Sequence, residues 1–176
     1  SRMTLWFISD THFAHANMLA FKRADGTPLR HFASVEEMNE TLIANWNAVV
    51  RPSDHIYHLG DVTMARGNHT KPIDTIMARL NGHKRICLGN HDQLASGWYF
   101  RQFEKVKACN VLDGLLFTHI PVHPESLGRF KANVHGHLHA NRVLASPHHP
   151  DPRYLSVCVE QTAYAPVSLE ELKARL

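Results

Sequence analysis

Apolar runs along the first two-thirds of the chain stop abruptly at polar residues. TLWFIS (Thr4 to Ser9) is β-branched and aromatic and ends at Asp10, which predicts a buried strand running into a polar loop. HIYHLG (His55 to Gly60) repeats the pattern and meets Asp61. RICLG (Arg85 to Gly89) ends at Asn90-His91-Asp92, and GLLFTH (Gly114 to His119) carries His119 at its end. ANVHGH (Ala132 to His137) and RYLSVCV (Arg153 to Val159) predict two later strands. A helical period separates the first two runs. Ser34 and Glu37 form a capping box, and Val35, Met38, Leu42, Trp46 and Val49 follow until Arg51-Pro52 stops the helix. Ile73, Ile76, Met77 and Leu80 mark a second helix closed by Asn81-Gly82, and SLEELKARL, with Ser168 and Glu171 as its capping box, marks a last one.

Strand and helix thus alternate over 176 residues without a linker or an internal repeat, which predicts one α/β domain, residues 1–176. In open α/β sheets ligands bind outside the carboxyl ends of the strands. Here that edge collects Asp10, His12, Asp61, Asn90, His119, His137 and His139. Residues two apart on an extended chain point the same way, so Asp10 and His12 are expected to face one point. His137 and His139 are expected to do likewise, with Gly136 letting the backbone approach closely.

Composition sharpens the chemistry. Hydrophobic content of 44% and charged content of 20% exclude wholesale disorder, and a net charge of +3 is too small to indicate nucleic-acid binding. The outlier is histidine, 15 residues against 16 acids. Oxygen and imidazole donors without a thiolate suit Mn²⁺ first, with Fe, Zn²⁺ or Ni²⁺ as alternatives, and disfavour Ca²⁺. Seven donors exceed the needs of one tetrahedral ion, whereas two ions sharing a carboxylate use them all. Two carboxylates against two divalent ions leave about +2 of formal charge, which invites a phosphate and a hydroxide. The cysteines, Cys87, Cys109 and Cys158, form no C-x-x-C pair, so neither a thiolate zinc site nor a disulfide framework is indicated. Cys87 and Cys158 read as buried free thiols of a reducing compartment. No apolar stretch is long enough to span a bilayer and no secretory leader is evident, so a cytoplasmic protein without a membrane partner is expected.

These residues also stand in a familiar order. D-x-H at Asp10 to His12, G-D at Gly60-Asp61, G-N-H-D at Gly89 to Asp92, a lone His119, and G-H-x-H at Gly136 to His139 resemble the calcineurin-like metallophosphoesterases. Each motif alone is weak; five in order are specific. The flanking text WFISDTHFAHAN and NVHGHLH is similar to small bacterial and phage phosphoesterases. The resemblance implies a four-layer αββα sandwich of two mixed sheets flanked by helices. It implies that Asp10, His12 and His139 hold one metal, that Asn90, His119 and His137 hold the other, and that Asp61 bridges them. It implies a phosphate ester, with nucleotide-like esters among the candidates, hydrolysed by in-line attack of a metal-bridging hydroxide, with His91 contacting the phosphate and helping the leaving group depart.

The sequence departs from the family's protein phosphatases, which extend the second motif to G-D-x-x-D-R-G. GDVTMARG lacks the second aspartate and places Arg66 one position late. A protein phosphatase is therefore disfavoured, and diesters are expected to be accepted at least as well as monoesters. His15, Asn17 and Arg66 are candidate substrate contacts, although His15 and Asn17 could equally cap the following helix. His58 is expected to point toward the core or to buttress a ligand. His135 is expected to face away from His137 and His139. His148 and His149 should meet solvent, and His31, His69 and His83 should occupy polar turns. Two alternatives stay open. One is a noncatalytic histidine-rich metal-binding protein. The other is a metal-dependent nuclease, for which Arg23 to Arg30 and Arg66 to Lys71 supply only part of a basic stripe, with no dedicated nucleic-acid module evident.

Overall fold

Two adjacent residues reveal the layers. In strand β1 (Leu5–Ile8) Phe7 and Ile8 are both fully buried, yet they enter different cores, because successive strand side chains leave on opposite faces. Ile8 packs under helices α1 (Val35–Val49) and α2 (Lys71–Arg79), joining Met38, Leu42, Trp46, Ile73 and Met77. Phe7 faces a second sheet and stacks on Phe117, the ring centroids 4.5 Å apart. The computed structural model describes residues 2–176.

Strands β2 (His55–His58), β3 (His83–Cys87) and β4 (Lys105–Lys107) extend β1 in parallel, with Ile8, His58, Ile86 and Val106 in one register row. The second sheet contains β5 (Asn110–Leu112), β6 (Leu115–Phe117), β7 (Ala132–His135) and β8 (Tyr154–Ser156), ordered β8-β7-β6-β5. Its β5–β6 pair is antiparallel, while β6–β7 and β7–β8 are parallel. Strand β9 (Val167–Ser168) closes the first sheet antiparallel to β1. Between the sheets Phe7, Tyr57, Leu59 and Cys87 meet Leu115, Phe117, Val134, Leu155 and Val157. Burying this apolar surface is the main force holding the two sheets together.

This is the αββα sandwich, with unequal outer layers. Helices α1, α2 and α3 (Ser96–Gln102) cover the first sheet, whereas helix α4 (Leu169–Lys173) closes the end of the inter-sheet core through Leu172. The outer face of the second sheet carries a loop with a single 3-10 turn, Pro124–Ser126. That loop is pinned where Val122 N–H donates to Asn133 Oδ1 at 3.0 Å and Tyr154 O–H donates to Val122 O at 2.7 Å. No helix among the described residues is long and apolar enough to cross a membrane.

The helix signals hold, with one change. Ser168 and Glu171 form a complete capping box. At α1, Ser34 Oγ accepts the Glu37 N–H at 3.1 Å, but the Glu37 carboxylate reaches back to Ala33 N–H. The segment between Asp92 and Gly114, for which no element was predicted, folds into α3, β4 and β5. His83 belongs to β3 rather than to a turn and pairs with Glu104 at 2.6 Å.

Candidate metal centre

The loops after β1 and β2 stay zipped beyond the strands. Asp10 N–H donates to Gly60 O at 3.0 Å, His12 N–H to Asp61 O at 3.1 Å, and Phe13 N–H to Val62 O at 2.8 Å. Asp10 and His12 do converge, but not by extended alternation. Asp10, His12, Asp61, His137 and His139 all have positive φ, between 48° and 74°. A left-handed turn, costing roughly 1–2 kcal/mol per residue, lets the chain reverse immediately after a strand and aim its side chain back over the sheet edge. The expected strand through His137 correspondingly ends at His135.

Two clusters result, Asp10–His12–His139 and Asp61–His119–His137, each with its donor atoms within 4.8 Å of one another. The Asp10 carboxylate is divided in function. Oδ2 accepts from Ser9 Oγ at 2.5 Å, from His137 N–H at 2.8 Å and from Cys158 Sγ at 3.5 Å. Oδ1 is buried 3.8 Å from His12 Nε2 and 3.7 Å from His139 Nε2, and neither it nor either ring nitrogen of His12 has a hydrogen-bond partner among the described residues. Polar atoms buried in this way are costly unless something else satisfies them. Asp61 lies between the clusters: its Oδ2 is 3.7 Å from His12 Nε2 and 3.2 Å from His119 Nε2, while Oδ1 accepts His91 N–H at 2.9 Å. Asn90 Oδ1 also meets His119 Nε2, at 2.9 Å. The donor set thus fits two divalent ions sharing Asp61, with each cluster offering oxygen and imidazole donors.

Two glycines make the convergence possible. A Cβ on Gly136 would lie 2.0 Å from Ser9 Oγ and 2.4 Å from Asp10 Oδ2, and one on Gly89 would lie 2.3 Å from Asp61 Oδ1. The close approach expected at Gly136 is real.

Behind these donors stands a layer whose roles, His58 apart, the sequence did not disclose. Nδ1 of His119 faces Leu59 O at 2.7 Å, and Nδ1 of His139 faces Glu160 Oε2 at 2.9 Å, so both rings turn Nε2 toward the clusters. Arg30, 1% exposed, donates Nε to Glu160 Oε2 at 2.9 Å, Nη1 to Thr11 O at 2.8 Å and Nη2 to Asp10 O. One guanidinium therefore ties the first motif to the loop orienting His139. His58 is the buttress its position suggested: Nδ1 accepts Gly60 N–H at 3.0 Å and Nε2 meets Thr11 Oγ1 at 2.9 Å. Asp92 staples the next loop, accepting from Asp61, Gly89 and Val62 N–H. Burial pushes the His58 pKa down to about 3, so the ring is neutral in the folded protein. Burial also lowers His119, but the Asp61 hydrogen bond and the charges of Asp10 and Asp61 outweigh it and hold the ring up at about 9. His119 is thus surrounded by acceptors on both sides, a place that calls for a cation.

His91 is half-buried, its ring centroid 6.1 Å from that of His12, and no carboxylate is hydrogen-bonded to its ring among the described residues. His15 lies 5.5 Å from His12 by ring centroid, and it makes no capping hydrogen bond to the 3-10 turn that follows. Asn17 and Arg66 are exposed, and Arg66 pairs through its backbone with Gln93, two residues past His91. His137 and His139 also line a groove of about 480 Å³ with Phe21, Lys22 and Arg23. His135 points away from the clusters as expected, and Cys87 and Cys158 are buried and unpaired.

A sheet sandwich with two histidine–carboxylate clusters at its strand ends is the scaffold of a metal-binding α/β protein. The chain belongs to the calcineurin-like phosphoesterase family, whose pattern matches residues 3–176. It is 35% identical over 171 residues to an uncharacterized protein of Methanocaldococcus jannaschii, covering 97% of this chain and 89% of that one. The Gene 66 protein of Mycobacterium phage L5 is 33% identical over 90 residues, 49% of this chain and 39% of its own. A protein of unknown function from Aquifex aeolicus shares the fold, with a TM-score of 0.72 at 22% identity over 99% of this chain and all of that one.

Proposed function

We propose that this protein is a dinuclear metal-dependent phosphoesterase using Mn²⁺ or a similar divalent transition ion. The observation that carries this reading is the position of Asp61 Oδ2 between His12 and His119, which suits a carboxylate shared by two ions. Asp10, His12 and His139 would hold one ion; Asn90, His119 and His137 the other. Two such ions supply Lewis-acid charge to phosphoryl oxygens and acidify water. The chain's residues do the rest. Glu160 and Leu59 O fix the proton on Nδ1 of His139 and His119, keeping the opposite nitrogen available as a donor. His91, held through its backbone to Asp61, delivers a proton to the leaving oxygen.

The leaving group lies in the groove shared by His137, His139 and Phe21, where Phe21, 47% exposed, offers a ring face and Lys22 and Arg23 offer charge, a setting that suits a nucleotide-like ester. No carboxylate is hydrogen-bonded to the His91 ring among the described residues, and Arg66 is exposed, so little here rewards the second charge of a monoester. Diesters are therefore accepted at least as well. The test is hydrolysis of p-nitrophenyl phosphate and bis-p-nitrophenyl phosphate by Mn²⁺-loaded protein. Turnover of the diester with kcat/KM equal or higher supports the reading. Turnover of the monoester alone would overturn the diester preference. Tight metal binding with no turnover of either, or of nucleotide esters, would point to a noncatalytic metal-binding protein.

A further inference from the structure

On the outer face of the second sheet, behind the loop that carries His137 and His139, lies a cavity of about 280 Å³. Strand alternation places it there: Val134 enters the inter-sheet core, so His135 leaves on the opposite side. Arg142, Ser156, Gln161 and Arg175 join His135 around the cavity. Arg142 Nε donates to Gln161 Oε1 at 3.2 Å and Arg175 Nη1 to Ser156 O at 3.4 Å; neither guanidinium has a carboxylate partner among the described residues. The carboxylate that reaches the wall, Asp151, is already neutralised, its two oxygens taking Arg153 Nε at 3.0 Å and Nη2 at 2.7 Å. Burial and the nearby charge of Arg142 both lower the pKa of Arg175, as expected of two cations facing one space.

His135 completes the set. It is 1% exposed, and its Nδ1 lies 2.7 Å from Gly136 O. A carbonyl only accepts, so Nδ1 carries a proton; burial favours the uncharged ring, in which Nε2 is left as an acceptor with no partner among the described residues. Ser156 Oγ accepts Cys158 N–H at 3.2 Å, leaving its own proton to donate. Two cations, a hydroxyl donor and a buried acceptor together match an oxyanion that carries a proton.

We propose that this cavity is a second anion site, separate from the metal centre, that binds inorganic hydrogen phosphate. Its negative oxygens accept from Arg142, Arg175 and Ser156, while its P–OH donates to His135 Nε2. The site is wired to the ligand loop. Gln161, which receives Arg142, donates Nε2 to His139 O at 2.7 Å and to Asn141 O at 2.8 Å, and His135 is bonded to the Gly136 carbonyl. Phosphate bound here therefore restrains the segment from which His137 and His139 project.

Phosphate binding at this cavity can be read without turnover. Zn²⁺-loaded protein, which is diamagnetic, is titrated with sodium phosphate at constant ionic strength and followed by ¹H–¹⁵N NMR. Saturable shifts are expected at Gly136, Gln161 and the side-chain Nε–H groups of Arg142 and Arg175, and sulfate, which carries no proton at neutral pH, should bind at least about tenfold more weakly. Arg142→Ala and Arg175→Ala should each weaken phosphate at this site about tenfold, the loss of one charged hydrogen bond. His91→Ala should leave these shifts in place. Shifts confined to His91, Asn90 and His119, equal binding of sulfate, or unchanged affinity in the folded Arg142→Ala variant would each overturn the assignment. Should Arg175→Ala fail to fold, Arg142→Ala, at an exposed position, decides the question alone.

Discussion

The carboxylate of Glu160 lies 2.9 Å from Nδ1 of His139, which fixes that ring's proton and directs Nε2 toward Asp10. Arg30 shares the same carboxylate oxygen from the other side, with neither side chain exposed to solvent. Glu160→Gln keeps an acceptor but can present an NH₂ group to the ring and removes the charge. It is expected to weaken the ion held by His139 about 10–100-fold, read by competition with a chelator. Arg30→Met strands a buried carboxylate and should destabilise the metal-free protein by about 3–5 kcal/mol in denaturant titration. Wild-type metal affinity in Glu160→Gln would remove this pair from the account of the site.

Asp61 is the donor placed between both clusters, so its loss should be felt twice. Asp61→Ala is expected to bind neither ion tightly, whereas His12→Ala or Asn90→Ala should weaken chiefly one. Elemental analysis after reconstitution with Mn²⁺ gives the counts. A wild-type protein saturating at a single ion would sink the dinuclear arrangement.

His91 separates a proton donor from a mere phosphate contact. Nitrophenolate departs with little help, while an alkoxide such as a ribose oxygen needs its proton. A positioned general acid contributes about 10²–10⁴-fold, and the benefit should concentrate on the poor leaving group. His91→Ala should therefore reduce hydrolysis of alkyl or nucleoside esters far more than of nitrophenyl esters, with metal content intact. Equal losses across a leaving-group series, with chemistry rate-limiting, would assign His91 to binding alone.

Far from the site, Asp54 anchors the start of the first sheet. Its buried carboxylate accepts from Thr4 N–H, Trp6 Nε1, Arg51 N–H and the Arg51 guanidinium. Burial pushes its pKa up, but Arg51 and these N–H donors outweigh burial and hold it well below the usual carboxylate range. A folded pKa below the unfolded value of about 3.9 means the stabilisation is fully present above that pH. It is lost as pH falls through the folded pKa. Asp54→Asn should cost about 2–3 kcal/mol at pH 7 and flatten the acid side of the stability profile. A variant whose stability falls with acid as steeply as wild type would exclude Asp54 as the source.

The candidate donors could be picked out because strand ends are chemically abrupt: an apolar run cannot continue into Asp10, Asp61 or Asn90 without a reason. Their backbone was not legible. The left-handed turns at Asp10 and His139 leave no compositional mark, since Asp and His are among the residues that tolerate them. Arg30 and Glu160 stand 130 residues apart, and neither sits in a pattern that local spacing could flag. Strands β4 and β5, three residues each, fall below the length at which alternation is readable. At α3 the buried Trp98 and Tyr99 are adjacent, so no helical spacing betrays the helix.

The hydrogen bonds that shape Asp10 have a consequence for the chain as it is made. Its Oδ2 is held by His137 N–H, 127 residues later, and by Cys158, 148 residues later. At a ribosomal pace of about 5–20 residues per second, the first ligands wait roughly 6–25 seconds for the last ones. During that interval Asp10 and His12 form only a loose, two-donor site that any abundant cation can visit and leave. Chains stalled before His137 should show no tight Mn²⁺ uptake, which a metal-binding assay on arrested chains would detect. On the proposed ligand set, the tight site of Asp10, His12 and His139 is thus complete only once the second sheet docks.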